Sequence, residues 1–368
     1  MDRLENARKI INETDREMAK LFEKRMNAVY EVAEYKKEMG LPIFDEKREN
    51  AVIEKNSAFV ENDKLRSYYI SFIKSTMDIS KKYQESLLDG LKVAYSGVEG
   101  AFAHIAAKNI FPDGKALSYD DFLSAYRSVE NGECDCAVLP IENSFAGEVG
   151  QVTDIMFEGN LHINGVYELK IVHNLLGING SSMGSIKKVV SHPQALSQCA
   201  DYIKKNNFDT EKASNTACAA QLVSESGDIS IAAIASEETA RLYNLKMLDH
   251  DINSSSANST RFAVFSRAEN LNINPKDNVF ILMFTVGHTT GSLAKAISVI
   301  SGHGYNMRVL RSRPAKKENW QYYFYVEAEG NPNTPDGKAM IKELSECCDK
   351  IKIVGNYSQA TLDGGDSK

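Results

Sequence analysis

The chain has 368 residues, a formal net charge of -7 and 43% apolar content, enough for two or three domains that each bury a core. Without a basic run, this balance excludes a polyanion binder and predicts no nucleic-acid partner. The charged opening MDRLENARKIINETDRE is no secretory signal, and no stretch reaches the ~20 apolar residues of a membrane span, so a cytoplasmic protein with no membrane partner is expected. Six cysteines form no C-x-x-C pair, and seven histidines show no H-E-x-x-H spacing, so no metal is expected. No glycine-rich phosphate loop calls for a nucleotide, and no cofactor is expected.

Residues 3–88 read as helix. Leu4, Ile11, Met18 and Arg25 recur every seven residues, with Ala7, Thr14, Leu21 and Ala28 between them. This narrow apolar seam predicts a helix to about Glu38 that needs a partner. Gly40-Leu41-Pro42 stops it, Asp45 is placed to cap a second helix, and a third covers about Asn62–Leu88. From Leu91, short apolar runs alternate with helical stretches: Lys92–Tyr95, Cys136–Leu139, Leu169–Val172, Ile186–Val190, Ile229–Ile234 and Phe262–Phe265. Such alternation predicts an α/β domain with a largely parallel sheet and ligands at strand C-terminal ends. Beyond the polar link Asn270–Asp277, strands at Val279–Val286, Tyr305–Ser312, Trp320–Ala328 and Ile351–Tyr357 alternate with helices at Ser292–Ser301 and Thr334–Cys348. That βαββαβ order predicts a ferredoxin-like α+β fold, and Thr361–Lys368 is expected to be disordered. The expected division is 1–89 (all-α), 90–269 (α/β) and 277–360 (α+β).

Arg25 and Lys36 lie three helical turns apart and share a side, whereas Arg8 is ~26 Å from Arg25 and about 100° around the axis. One small substrate cannot touch both on one straight helix. The pattern Arg8, Asp15, Arg25, Lys36, Asp45, Arg48-Glu49, Ser80 and Gln84 resembles the all-helical chorismate mutases, which are intertwined dimers. The resemblance implies that Arg8 of one protomer and Arg25 of the other clamp the carboxylates of chorismate, with Arg48 and Ser80 assisting and Asp45 in the substrate site. It also implies that Lys36 and Gln84 donate to the breaking ether oxygen while Glu49 holds the ring hydroxyl. An intramolecular rearrangement needs no nucleophile, only a held conformer and stabilised charge.

In the α/β segment, polar runs follow predicted strands: Gly97–Phe102, Pro140–Ser144, Ser191–Cys199, Ser214–Ala217 and Asn258–Phe262. Physically this is a cleft for a small carboxylate, since several runs precede helix N-termini; Ser214 or Thr216 could equally be a helix cap, and His192 a turn histidine. Together the runs resemble prephenate dehydratase over Leu91–Arg267, a fold of two α/β lobes like periplasmic binding proteins. The resemblance makes Thr260 the critical catalytic group and Glu142, Asn143, Ser191, Gln198, Thr216 and Arg261 cleft contacts for prephenate. Ala101 and Ala103 stand where the family has hydroxyl residues, and Ser254 where an aspartate is common. An arogenate dehydratase, a non-aromatising prephenate decarboxylase and a solute-binding module are the competing readings.

The third segment carries Gly291-Ser292-Leu293, Asn306, Arg311-Ser312-Arg313-Pro314 and Trp320-Gln321, resembling the ACT-type regulatory domain of prephenate dehydratases. The resemblance implies a homodimer or higher homo-oligomer binding L-phenylalanine as effector through Gly291, Ser292, Leu293, Asn306, Arg311 and Ser312. Arg311 replaces that motif's glutamate, a charge reversal expected to weaken or retune the site; a purely dimerising module is the alternative.

Overall fold

A glycine-free run between Met1 and Met39 lets the chain open on one long helix. The computed structural model describes residues 2–39, 46–255, 257–271, 278–315 and 322–362. Helix α1 spans Arg3–Met39, α2 Glu46–Ser57 and α3 Asp63–Asp89. Asn62 caps α3, its side chain accepting from the Lys64 N–H at 3.1 Å. Helices α1 and α3 pack through Ala33, Ile73 and Met77, all buried. The outer half of α1 leaves Leu4, Ile11, Met18 and Leu21 exposed, so the predicted seam is present and uncovered within one chain. The stop at Gly40-Leu41-Pro42 and the cap Asp45 lie outside the described residues, as do Trp320 and Gln321. No described helix is long and apolar enough to cross a membrane.

The chain separates into two units, Met1–Leu91 and Lys92–Lys368. The second begins with β1 (Lys92–Ser96), α4 (Phe102–Ile110), β2 (Lys115–Tyr119), α5 (Phe122–Glu130), β3 (Cys136–Asn143), β4 (Gly147–Glu148), α6 (Gly150–Glu158) and β5 (His162–Lys170). The chain then crosses to a second lobe: β6 (Asn174–Gly177), β7 (Lys188–Ser191), α7 (Pro193–Gln198), α8 (Ala200–Asn206), β8 (Asp209–Lys212), α9 (Thr216–Ser226), β9 (Ile231–Ala235), α10 (Glu237–Leu242) and β10 (Lys246–Asp249). It returns as β11 (Ser259–Ser266). The lobes are thus joined by two crossovers, at 171–173 and 250–258.

The sheets are mixed rather than largely parallel. Strand β1 pairs parallel with β2 and β3, but β11 is antiparallel to both β3 and β5. The crossovers explain this. The chain leaves the first lobe at Lys170 and re-enters at Ser259 directly opposite it, so β11 must run back along β5. Strand β5 also starts well before the apolar run at Leu169, because its earlier residues pair with β11. In the second lobe β7 is parallel to β8 and β9, and β6 is antiparallel to β9 and β10.

The C-terminal part contains β12 (Val279–Thr285), α11 (Ser292–Gly302), β13 (Met307–Pro314), β14 (Tyr322–Glu329), α12 (Pro335–Leu344) and β15 (Lys350–Tyr357). The antiparallel order β13-β14-β12-β15 is ferredoxin-like, as the element order predicts. Every residue of β12 is buried. Phe280, Leu282 and Phe284 face α11 and α12, while Val279, Ile281 and Met283 join the core of the first lobe. A last strand, β16 (Gln359–Leu362), pairs parallel with β5. Thr361 and Leu362, expected to be disordered, are thus part of a strand; 363–368 lie outside the described residues.

Candidate active site

The register of β11 against β3 sets Thr260 opposite Asn143. Both are buried polar residues, and both line a cavity of about 350 Å³ between the lobes, within the range of small-molecule sites. The Asn143 amide is oriented by its surroundings. Its Oδ1 accepts from the Phe145 and Ala146 backbone N–H groups at 3.0 and 2.9 Å. Its Nδ2 therefore faces Thr260 and donates to Oγ1 at 2.9 Å. With one lone pair occupied, the threonine O–H is left to donate to a ligand.

Gln198 and Thr216 line the same cavity. Helix α9 is capped by Asn215, whose side chain accepts from the Cys218 N–H at 2.7 Å. Neither Ser214 nor Thr216 supplies that cap, so Thr216 is available to the cavity. The N-termini of α4 and α9 both border it, placing unsatisfied N–H groups where a carboxylate can sit. His192 caps α7 by accepting from the Gln194 N–H at 3.2 Å; burial lowers its pKa.

Three expected cleft contacts are elsewhere. Side chains alternate across a strand, so Glu142 and Arg261, next to Asn143 and Thr260, face away from the cavity. Arg261 bonds Glu142 at 3.0 Å and Glu327 of β14 at 2.8 and 3.0 Å. Burial alone would lower the Arg261 pKa; the bond and charge of Glu327 outweigh it and hold the pKa above its ordinary value. Ser191 is fully buried and donates to the Ile234 carbonyl at 2.6 Å, tying β7 to β9. These three belong to the scaffold.

In the helical unit, Arg25 of α1 donates to Ser80 of α3, and burial lowers its pKa. Ser80 and Gln84 are buried, with Gln84 Oε1 lacking a partner among the described residues. Glu49 of α2 pairs with Lys81 at 2.9 Å. Lys36 is half-buried, Arg48 exposed, and Arg8 exposed on the outer half of α1. Arg25, Ser80 and Gln84 thus come together, whereas Arg8 does not join them. Asp45 lies outside the described residues.

In the ferredoxin-like part, Gly291 takes φ +85°, a left-handed turn that leads into α11. Ser292 and Leu293 line a cavity of about 450 Å³ with Tyr322 and Phe324, and Ser312 sits opposite Phe324 in register. Two expected effector contacts are not brought there. Asn306 lies at the far end of β13, bonded to Glu329 at 3.2 Å. Arg311 points to the other face of the sheet and donates to Glu142, again because adjacent strand residues face opposite ways.

The family model for type II chorismate mutase matches residues 7–85, and that for prephenate dehydratase matches 93–270. A bifunctional chorismate mutase/prephenate dehydratase of Aquifex aeolicus is 31% identical over 98% of this chain and 99% of its own. The chain belongs to the bifunctional chorismate mutase/prephenate dehydratase family. A solved structure described as a quorum-quenching acylase is 30% identical, with TM-score 0.67 over 73% of this chain and 98% of its own. The prephenate dehydratase of Arthrobacter aurescens, solved in complex with L-Phe, has TM-score 0.67 at 24% identity, over 73% of this chain and 90% of its own. That last likeness speaks to fold alone.

The sequence motifs of this family member do not include His173, and they include Asn258 only as the first residue of the run Asn258–Phe262, with no role of its own. Both are buried and bonded into the Asn143–Gln198 group. They sit in or beside the crossovers, where no periodicity announces them. The only available signal was polar residues flanking strand ends.

Proposed function

We propose that the enzyme converts chorismate to prephenate in residues 1–89 and prephenate to phenylpyruvate in residues 90–269, with 277–360 as an aromatic-amino-acid sensor. The observation that carries the second step is the Thr260 hydroxyl, which accepts from Asn143 and lines the cavity, so that its own proton can be donated to a ligand there. Prephenate loses hydroxide and carbon dioxide together. The ring C–O bond breaks toward oxygen, which takes a proton to leave as water. The C–C bond to the carboxylate supplies the electron pair that aromatises the ring. The enzyme must aid the departing oxygen and leave the carboxylate unpaired. A hydroxyl donor in a dry cleft, with helix N-termini for the side-chain carboxylate, suits that task.

For the first step, Arg25, Arg48 and Ser80 bind the carboxylates of chorismate, Lys36 and Gln84 serve the ether oxygen, and Glu49 the ring hydroxyl. The bond from the half-buried Arg25 to the buried Ser80, one turn from the buried Gln84, supports this reading. Arg8 reaches the partner's site in a homodimer. Support comes from the exposed apolar residues on the outer half of α1, an area a second protomer would cover. A single assay tests both steps: chorismate is supplied, and prephenate and phenylpyruvate are followed separately. Wild type is expected to form prephenate first and then phenylpyruvate. Lys36→Ala is expected to lower chorismate consumption by about 10²-fold, the order for losing one charge-stabilising donor, and to process added prephenate normally. Wild type inert on chorismate, or a Lys36→Ala mutase at full rate, would refute the assignment.

The sensor reading rests on the edge position of β13. An antiparallel two-fold pairing of two such edges would carry Asn306 of one protomer toward the Gly291–Leu293 and Ser312 end of the other, the ~24 Å length of the strand away. L-Phenylalanine is the effector proposed for that shared site. Titrating dehydratase activity with each aromatic amino acid is expected to show inhibition by phenylalanine first. No response to any of the three leaves a dimerising module.

A further inference from the structure

An amide side chain has two unlike ends, and in a buried series one anchored amide fixes all the others. The anchor is Asn143, whose Oδ1 accepts two backbone N–H groups. Its Nδ2 also meets Asn258 Oδ1 at 3.1 Å. The Gln198 atom 3.3 Å from that same oxygen must be a donor, and is Nε2. Gln198 therefore turns Oε1 toward His173 Nε2, at 2.9 Å. An oxygen in that position requires a donor, so His173 carries its proton on Nε2. The imidazole is 2% exposed, packs edge-on against Phe102 with centroids 5.6 Å apart, and lines the Thr260 cavity. Its Nδ1 has no hydrogen-bond partner among the described residues. Burial also lowers its pKa, against the opposing bond to Gln198, which agrees with a neutral ring.

We infer that His173 is a positioning residue of the dehydratase, whose Nε2–H holds the Gln198 amide of the cavity wall in the orientation that the Asn143 anchor sets. The inference rests on the reading of Thr260 given above. Without a donor at Nε2, Gln198 Oε1 is left buried and unpaired, and turning the amide over gives no relief because it would set Oε1 against Asn258 Oδ1. The Gln198 amide then has no fully satisfied orientation and the preorganised wall beside Thr260 is loosened, although Asn143 and Thr260 themselves are unchanged. The loss therefore falls on kcat more than on KM.

The test uses the full-length enzyme with prephenate as substrate, and mutase rate as the control for folding. His173→Phe keeps the ring shape and lacks the donor; it is expected to lower kcat by about 10- to 100-fold, the order for one buried acceptor left unpaired. His173→Gln carries an amide N–H to about the same place and is expected to recover most of that loss. A residue acting only through Gln198 also predicts that His173→Phe combined with Gln198→Ala is no slower than Gln198→Ala alone. Wild-type kcat in His173→Phe, a glutamine variant as slow as the phenylalanine one, or additive losses in the double variant would each overturn the inference. Should His173→Phe fail to fold, the glutamine variant decides alone, because kcat at the Gln198→Ala level would mean the donor is not what matters. Thr260→Ala is measured alongside. If it retains activity, the reading of the site itself has failed; if it is inactive while His173→Phe is not, only the role of His173 has.

Discussion

Replacing Thr260 with alanine is expected to abolish phenylpyruvate formation, by about 10³-fold or more, and to leave chorismate consumption unchanged. The hydroxyl has no substitute nearby in register, since its cross-strand neighbour Asn143 is committed to backbone N–H groups on one side and to Thr260 itself on the other. Losing one preorganised donor costs about 10² to 10³ in rate. Asn143 Nδ2 keeps the Ser259 carbonyl at 2.9 Å and Asn258 Oδ1 at 3.1 Å as acceptors for its two hydrogens, so the loss falls on the reaction and not on the scaffold. Thr260→Ser keeps the oxygen but frees it to rotate, so partial activity with a lower kcat is expected. Following both activities in one preparation separates the outcomes. Loss of both would mean the chain no longer folds, and persistence of phenylpyruvate formation would remove Thr260 from the chemistry.

The sequence made the local structure legible where one periodicity dominates. The glycine-free heptads of α1, the extent of α3 and the βαββαβ order of the last segment all appear as expected. Asn143, Gln198, Thr216 and Thr260, drawn from four separate motifs, converge on one cavity. What failed was the treatment of adjacent motif residues as neighbours in function. Glu142 and Asn143, or Arg261 and Thr260, are one step apart on a strand and so lie on opposite faces. That alternation is readable in principle. Its consequence is not, because the outer face of β3 and β11 is covered by β14 and β13, and nothing local in the chain says which surface a C-terminal sheet will cover. Strand direction was hidden for a similar reason. The apolar run of β11 looks the same whether it runs with β5 or against it, and only the round trip through the second lobe decides.

That covered face gives the other large effect. Glu327 is 2% exposed and takes both of its guanidinium bonds from Arg261, with the Tyr325 hydroxyl at 3.3 Å as a further donor. Arg261→Ala would leave this carboxylate buried without a cation, and the expected cost is about 3–5 kcal/mol in the unfolding of the second unit. Glu327→Ala should cost less, because Arg261 retains Glu142, although that carboxylate is shared with Arg311. Removing the pair together, as Arg261→Met with Glu327→Leu, is expected to regain most of the stability, since desolvation of two charges offsets most of their attraction. Denaturant midpoints for the four proteins measure this directly. The same set decides what Arg261 does for the reaction. If its role is to hold the two sheets together, the double replacement should restore turnover along with stability. If the guanidinium instead contacts prephenate, KM stays high in the stable double variant, and the assignment of Arg261 to the scaffold is wrong.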